Sequence, residues 1–205
     1  MNSSAEMTSE TYTQPVGGLL GEHVIVPADN MDLLGWYACP EGATGAVLIP
    51  SLSSELGTPA RGVFLAHTLE SWGIATLIVD PLSAHESALL KAGQAQAADP
   101  SRLARRLCGA IDWMITRPEL RRLQIGIFGH AEAEEPVLNA AATCPDRISS
   151  VLLVGYPAHL GPQGFGDGLK RGYVIDAPTD EQSQESLARF AAAWFSQTLR
   201  PAPRD

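Results

Sequence analysis

The stretch "IGIFGHAEAEEPVL", residues 125–138, joins a short apolar run to an acidic segment. The apolar run, "LQIGIFG" (123–129), is continuous, as is typical of a strand buried on both faces. A helix is predicted through about 134–144, and the acidic residues "EAEE" (132–135) suit the positively polarised start of a helix. This stretch therefore predicts a buried strand that turns at once into a helix.

Buried strands and amphipathic helices alternate through most of the chain. Strands are predicted at "GAVLIP" (45–50), "IATLIVD" (74–80) and "VLLVGY" (151–156), with helices that begin near Pro59 and Pro100. An antiparallel hairpin precedes them, because "HVIVP" and "LLGWYA" flank the turn-forming "ADNMD". The alternation predicts an α/β fold, with a mostly parallel sheet and helices on both faces. We expect its ligand crevice beyond the carboxyl ends of the strands.

The helices are predicted to bury apolar stripes that recur at helical spacing. The four tryptophans are interpreted as core residues rather than as a ligand cage. The predicted stripes are Leu65, Leu69 and Trp72; Leu103, Leu107, Ile111 and Met114; and Leu187, Phe190, Ala191 and Trp194 in a closing helix.

Length, charge and hydropathy exclude several classes of protein. The 205 residues suit a single domain, assigned to 18–200, after a flexible polar lead-in at 1–17. A net charge of −9 without a broad basic stripe argues against nucleic acid as a partner. The apolar runs fall well short of the ~20 residues of a membrane span, and residues 1–17 have no secretory character, which indicates a cytoplasmic protein. The three widely spaced cysteines are interpreted as buried thiols, not as a disulfide framework or zinc site.

The order of these elements, with "IGIFGH" followed by "CPDRISSVLLVGYP", resembles the dienelactone hydrolase-like branch of the α/β-hydrolase fold. The resemblance covers roughly residues 20–158 and resumes in "LARFAAAWFSQTL" (187–199). It implies a nucleophile elbow of the form G-x-S-x-G or G-x-C-x-G on the strand-to-helix turn. Here the elbow reads Gly129, His130, Ala131, Glu132, Ala133, and alanine offers no nucleophile. Pro136 suggests that the following helix starts late or has a reshaped entry.

The other parts of the family's catalytic apparatus also differ. The resemblance implies an acid after the seventh strand and a histidine after the eighth, but the chain has room for one strand, "YVIDA", after Tyr156. If this strand is the eighth, Asp180 stands near the expected histidine; if it is the seventh, Asp180 could be the acid. No histidine follows His159. The fold is therefore expected to be shortened by about one strand near the C-terminus.

Polar residues at the predicted strand ends form the candidate site. An acid–base site without a nucleophile could use His130, Glu132 and His85, because histidine titrates near neutral pH. The alternative is that these are polar loop residues left at a former active site. The catalytic candidates are Ala131 at the nucleophile position, His130, Glu132, His85 and Asp180; the ligand-binding candidates are Ser51, Leu52, Ser53, Asp80, Tyr156 and His159. No metal and no cofactor is expected.

The sequence thus predicts a non-hydrolytic relative of dienelactone hydrolases that binds a ligand, catalyses noncovalently or binds a partner protein. The competing hypothesis is an active ester or lactone hydrolase whose nucleophile was replaced by Ala131. Homodimerisation is a further hypothesis, because the short "YVIDA" strand would leave an exposed sheet edge.

Overall fold

The protein is described by a computed structural model. The described residues are 21–52, 59–94, 99–130, 133–155, 172–175 and 181–199. The predicted lead-in at 1–17 lies outside them.

One mixed sheet of seven strands runs through the described residues, in the order β1-β2-β4-β3-β5-β6-β7. Strand β2 is antiparallel to both of its neighbours, and the other six strands share one direction. The predicted α/β fold class is therefore confirmed. The strands are β1 Glu22–Ala28, β2 Met31–Ala38, β3 Gly45–Pro50, β4 Ile74–Val79, β5 Ile125–His130, β6 Ser150–Val154 and β7 Gly172–Ile175. The helices are α1 Pro59–Ser71, α2 Ala84–Lys91, α3 Pro100–Thr116, α4 Glu134–Thr143 and α5 Glu181–Thr198.

The predicted hairpin is formed by β1 and β2, whose register ends at the pair Ala28 and Met31. The two residues between them, Asp29 and Asn30, have φ angles of +46° and +62°. Two successive left-handed residues are the signature of the type I′ turn, whose twist matches that of the flanking strands. Aspartate and asparagine tolerate this conformation better than other side-chain-bearing residues, which is why "ADNMD" forms a tight turn.

Two separate apolar cores cover the two faces of the sheet. One core includes the buried side of α3 and α4, and the predicted stripe Leu103, Leu107, Ile111 and Met114 is fully buried there. The other core includes α1 and α5. Asp99 caps α3 by accepting a 3.0 Å hydrogen bond from the Ser101 backbone N–H, so the predicted helix start is also confirmed.

The predicted stripe of the closing helix is partly wrong. Phe190 is 38% exposed, whereas Phe195 is fully buried. The run "RFAAAWF" offers two overlapping apolar stripes at helical spacing. Contacts with the sheet determine which of the two stripes is buried. Gly126 on β5 leaves the space for the Phe195 ring, since a β-carbon at Gly126 would stand 2.6 Å from Phe195 Cε1. The residues of α5 and its end that are buried are Ala188, Ala191, Ala192, Phe195 and Leu199.

Two further details of the chain differ from the sequence predictions. Trp72 is 48% exposed, because the chain leaves α1 at Ser71 and turns through Gly73, whose φ is +72°. It is therefore not a core residue, unlike Trp36. Helix α2 was not predicted, since its eight residues are too few to display a clear apolar stripe.

The structure confirms the predicted burial for Cys108 and Cys144 only, and the prediction that the cysteines are unpaired thiols is wrong for these two. Cys108 on α3 and Cys144 after α4 are buried and form a disulfide, with Cα atoms 6.4 Å apart. Cys39 is free and half-buried. Sequence spacing could not reveal the pair, because the two residues are 36 positions apart and meet only when α3 packs on α4. Among the described residues, no helix is both long and apolar enough to cross a membrane.

Candidate functional site

Three of the candidate residues lie at the carboxyl edge of the sheet, on neighbouring strands. Pro50 on β3 is aligned with Val79 on β4, so the next residues, Ser51 and Asp80, stand side by side. On its other side β3 pairs with β5 as far as Leu48 and Ile127, and β5 ends at His130 on the same edge of the sheet. Ser51, Asp80 and His130 therefore stand at the ends of three neighbouring strands, β3, β4 and β5, and are called the polar row below.

The elbow sequence lies between the end of β5 and the start of α4. Strand β5 ends at His130 and α4 begins at Glu134, with three residues between them. Gly129 cannot carry a side chain without displacement, since a β-carbon there would stand 2.6 Å from Leu153 Cδ2 and 3.2 Å from Val137 Cγ2. Glycine at this position therefore allows β5, β6 and α4 to approach closely, as the elbow requires.

Helix α4 begins at Glu134, where the sequence predicted it; a reshaped entry, the alternative drawn from Pro136, concerns residues 131 and 132, which lie outside the described residues. Pro136 is the third residue of α4, where a backbone N–H has no partner within the helix in any case. Ala133 stands before the first helical residue, is 1% exposed and provides no side-chain cap. Glu134 and Glu135 occupy the first turn, where the helix dipole favours negative charge.

The loop after β3 offers one polar side chain and one apolar side chain. The Ser51 backbone N–H donates a 2.8 Å hydrogen bond to the carbonyl of Val79, which ties the start of this loop to β4. The Ser51 side chain is half-buried. Leu52 is 3% exposed and belongs to the core on the α3 and α4 side, so only its backbone could face a ligand.

Asp80 stabilises its own loop at the end of β4. Its carboxylate accepts a 2.9 Å hydrogen bond from the Leu82 backbone N–H. Burial of the carboxyl group raises the pKa of Asp80 although the residue as a whole is exposed, and the nearby Glu86 charge adds to the rise. The Leu82 hydrogen bond and the Lys91 charge act in the opposite direction.

Sequence reasoning missed a buried ion cluster directly behind Asp80. Glu86 on α2 and Arg106 on α3 form a bidentate ion pair, with Oε2 to Nη1 at 2.6 Å and Oε1 to Nη2 at 3.2 Å. Arg102 Nη2 lies 2.9 Å from Glu86 Oε1, and Arg106 Nη1 donates to the Pro81 carbonyl at 2.7 Å. The cluster therefore holds the β4–α2 loop against α3.

Glu86 also completes the N-terminal cap of α2. The Ser83 side chain accepts from the Glu86 N–H at 3.2 Å, and the Glu86 carboxylate accepts from the Ser83 N–H at 2.7 Å. Burial alone would raise the pKa of Glu86, but the Arg106 and Ser83 hydrogen bonds, with the Arg106 charge, lower it to about 2. The spacing Ser83-x-x-Glu86 is a capping-box pattern, which could have revealed this role.

The remaining candidates are not joined to this row in the described residues. His85 is the second residue of α2 and its side chain is exposed. No group of three or more metal-ligating side chains lies close together among the described residues. The other candidates fall outside the described residues, namely Ser53, Ala131, Glu132, Tyr156, His159 and Asp180.

Solved structures share this architecture. Dienelactone hydrolase from Anabaena variabilis is 25% identical, with a TM-score of 0.72 over 88% of this chain and 98% of that one. Est1E from Butyrivibrio proteoclasticus superposes with a TM-score of 0.65 over 86% and 98% at 13% identity. A cold-adapted esterase from an Arctic intertidal metagenomic library gives 0.61 over 88% and 94% at 16% identity.

Sequence comparison points to longer proteins. No protein-family model matches the chain. Two Mycobacterium tuberculosis proteins, called phosphoribosyl transferases by name, are each 28% identical over 174 residues, or 85% of this chain. The chain spans only 38% of the length of these relatives. The sheet order and the structural neighbours agree, and the chain has a dienelactone hydrolase-like α/β-hydrolase fold.

Proposed function

We propose that this protein binds a small carbonyl-containing molecule, such as an ester or lactone, without hydrolysing it. One observation carries the proposal: β5 is followed after three residues by α4, the place of the nucleophile elbow in this fold, and alanine stands at position 131. Alanine has no oxygen or sulfur that could attack a carbonyl carbon, so an acyl-enzyme cannot form there. A fold of this kind can still retain its ligand crevice at the strand ends.

The polar row at the carboxyl edge supports binding of such a ligand. Ser51 has a hydroxyl that donates and accepts, His130 has an imidazole, and Asp80 has a carboxylate. A ligand carbonyl could accept a hydrogen bond from Ser51 or His130, and a ligand hydroxyl could donate one to the Asp80 carboxylate. Burial raises the pKa of the Asp80 carboxyl group, and a carboxyl group that holds its proton could donate a hydrogen bond to a ligand oxygen.

The experiment compares the unmodified protein with the variant Ala131→Ser. Hydrolysis of p-nitrophenyl butyrate and of a five-membered lactone is followed for both proteins, and binding of the same lactone is followed by calorimetry. We expect binding by both proteins and turnover by neither. Ser51→Ala should weaken binding about fivefold, because one hydrogen bond to a ligand contributes roughly 1 kcal/mol. His67→Ala, an exposed change on α1, is the matched control and should leave binding unchanged.

A second candidate function is ester or lactone hydrolysis, by an enzyme whose nucleophile at position 131 has been replaced by alanine. The structural neighbours favour it, because they are a dienelactone hydrolase and esterases by name. Saturable turnover by Ala131→Ser alone would establish this second function. Turnover by the chain as written would overturn both, and absence of lactone binding in both proteins would overturn the first.

Phosphoribosyl transfer, the activity in the names of the sequence relatives, is not proposed for this chain. The relatives are longer, and the part matched by this chain is 38% of their length. We propose that the chain corresponds to a hydrolase-fold portion of such proteins and that the transferase activity belongs to the remainder. No thermal shift is then expected with 5-phosphoribosyl 1-diphosphate, and a saturable shift would contradict this assignment.

A cytoplasmic location and homodimerisation are proposals of the same kind. Homodimerisation is supported by β7, which pairs only with β6 among the described strands and so offers an edge to a second copy. A mass measurement across a concentration series tests it, and a monomeric mass at every concentration would reject it.

A further inference from the structure

The Cys108–Cys144 pair lies inside the interface between α3 and α4. Cys108 is 8% exposed and Cys144 is 7% exposed, so both sulfur atoms are shielded from bulk solvent. The Cα atoms are 6.4 Å apart, within the range of about 4.4–6.8 Å that disulfides span. The bond joins the middle of α3 to the residue that follows the last turn of α4.

The same packing also suits the reduced pair. The Ala140 carbonyl oxygen lies 3.1 Å from Cys144 Sγ and 3.7 Å from Cys108 Sγ. A disulfide sulfur has no hydrogen to donate, but each thiol of the reduced pair could donate to this carbonyl. That oxygen already accepts the Cys144 backbone N–H at 2.9 Å, so it is satisfied in the oxidised state as well. Neither redox state therefore leaves a buried polar group without a partner.

Helix α4 depends on contacts along its length because its start carries no side-chain cap. Val137, in the first half of α4, packs against Gly129 at the end of β5. The disulfide fixes the opposite end of the same ten-residue helix. We propose that Cys108 and Cys144 form a reversible thiol–disulfide pair that sets how firmly α4, and with it the β5–α4 connection, is held. This inference is independent of the proposed ligand.

The reaction is a thiol–disulfide exchange with a low-molecular-weight disulfide such as oxidised glutathione. The two cysteine thiols lose two hydrogens and form one sulfur–sulfur bond, while the small disulfide is cleaved and becomes two thiols. The step passes through a mixed disulfide, formed by attack of one cysteine as its thiolate. Because both sulfurs are buried, we expect exchange to require local opening of α4 and so to be slow.

The experiment uses the full chain after equilibration with oxidised glutathione or with a phosphine reductant. Thiols are counted in denaturant, and the oxidised protein should show one free thiol of its three cysteines, at Cys39, with residues 108 and 144 in one linked peptide. Reduction should lower the melting temperature by roughly 5–15 °C, from the loop-closure effect on a domain of this size. Amide exchange should accelerate within 134–143 and stay unchanged in α5, and reoxidation should reverse both effects.

Two variants separate the pair from the third cysteine. Cys39→Ala should show the full redox response, because Cys39 is outside the pair. The double variant Cys108→Ala, Cys144→Ala should show none, and its folding is checked by circular dichroism. The same reductant experiment on the unmodified chain gives the answer even if the double variant does not fold. Three free thiols after oxidation, a linked peptide that contains Cys39, or equal melting temperatures and exchange rates in both redox states would each overturn the proposal.

Discussion

The Glu86 carboxylate and the Arg106 guanidinium form two parallel contacts, 2.6 and 3.2 Å long, with both residues buried. The pair connects α2 to α3 immediately behind the loop that carries Asp80 into the polar row. Arg102 makes a third contact with the same carboxylate, so one negative charge faces two positive charges. Removal of the negative charge would leave buried positive charge without compensation.

Glu86→Gln should therefore destabilise the protein strongly. We expect a loss of about 3 kcal/mol in the free energy of unfolding, as for other broken buried pairs. Urea denaturation measures it. Glu185→Gln breaks a surface pair with Arg189, whose side chain is 70% exposed, and should cost less than about 0.5 kcal/mol. Equal losses of unfolding free energy in the two variants would contradict the conclusion that the buried ion pair stabilises the protein more than the surface pair does.

The same carboxylate makes stability depend on pH in acid. The pKa of Glu86 falls to about 2 in the folded protein from an ordinary value of 4.5. A lowered folded-state pKa adds stability above the unfolded pKa, and this stability is lost as the pH falls towards the folded value. The shift corresponds to about 3 kcal/mol, lost mostly between pH 5 and 2. The free energy of unfolding, measured at several pH values across this range, should depend less steeply on pH in Glu86→Gln than in the unmodified protein. The same dependence in both proteins would refute the linkage.

Gly109 marks the closest approach of α3 to the hairpin. A β-carbon there would stand 2.6 Å from Ala28 Cβ and 2.9 Å from Ala28 Cα, and a backbone atom cannot move aside easily. Gly109→Ala should cost about 1–3 kcal/mol through overpacking, despite the higher helix propensity of alanine. The double variant Gly109→Ala, Ala28→Gly should recover part of that loss. Thermal unfolding of the single and double variants tests this, and purely additive losses would show that the contact is not the cause.

The turn between β1 and β2 gives a prediction of increased stability. Asn30 has a φ of +62°, which glycine adopts without steric cost. Asn30→Gly creates the Asp-Gly pair that type I′ turns favour and should stabilise the protein by a few tenths of a kcal/mol. Asn30→Ala should destabilise it by about 1 kcal/mol, because alanine is strained in that region. The two variants must move the denaturation midpoint in opposite directions, or the turn assignment fails.

Much of the fold could be predicted because its signals are local. The alternation of buried strands and helices placed β3, β4, β5 and β6 within one or two residues, and the turn residues Asp29 and Asn30 marked the hairpin. For the site, the same strand ends brought Ser51, Asp80 and His130 to one edge. Glu86 was missed because its partner, Arg106, is 20 residues away on a different helix.

The sequence by itself determined the chemistry that position 131 can support and the order of the strands and of every described helix except α2, since side-chain identity and short-range periodicity need no partner. Tertiary structure alone decided which stripe of α5 is buried, which arginine of "RLARRL" enters the interior, and which cysteines meet. In each case several residues of one type are available along the chain. The choice depends on which of them packs against a distant element, such as Phe195 against Gly126 or Cys108 against Cys144.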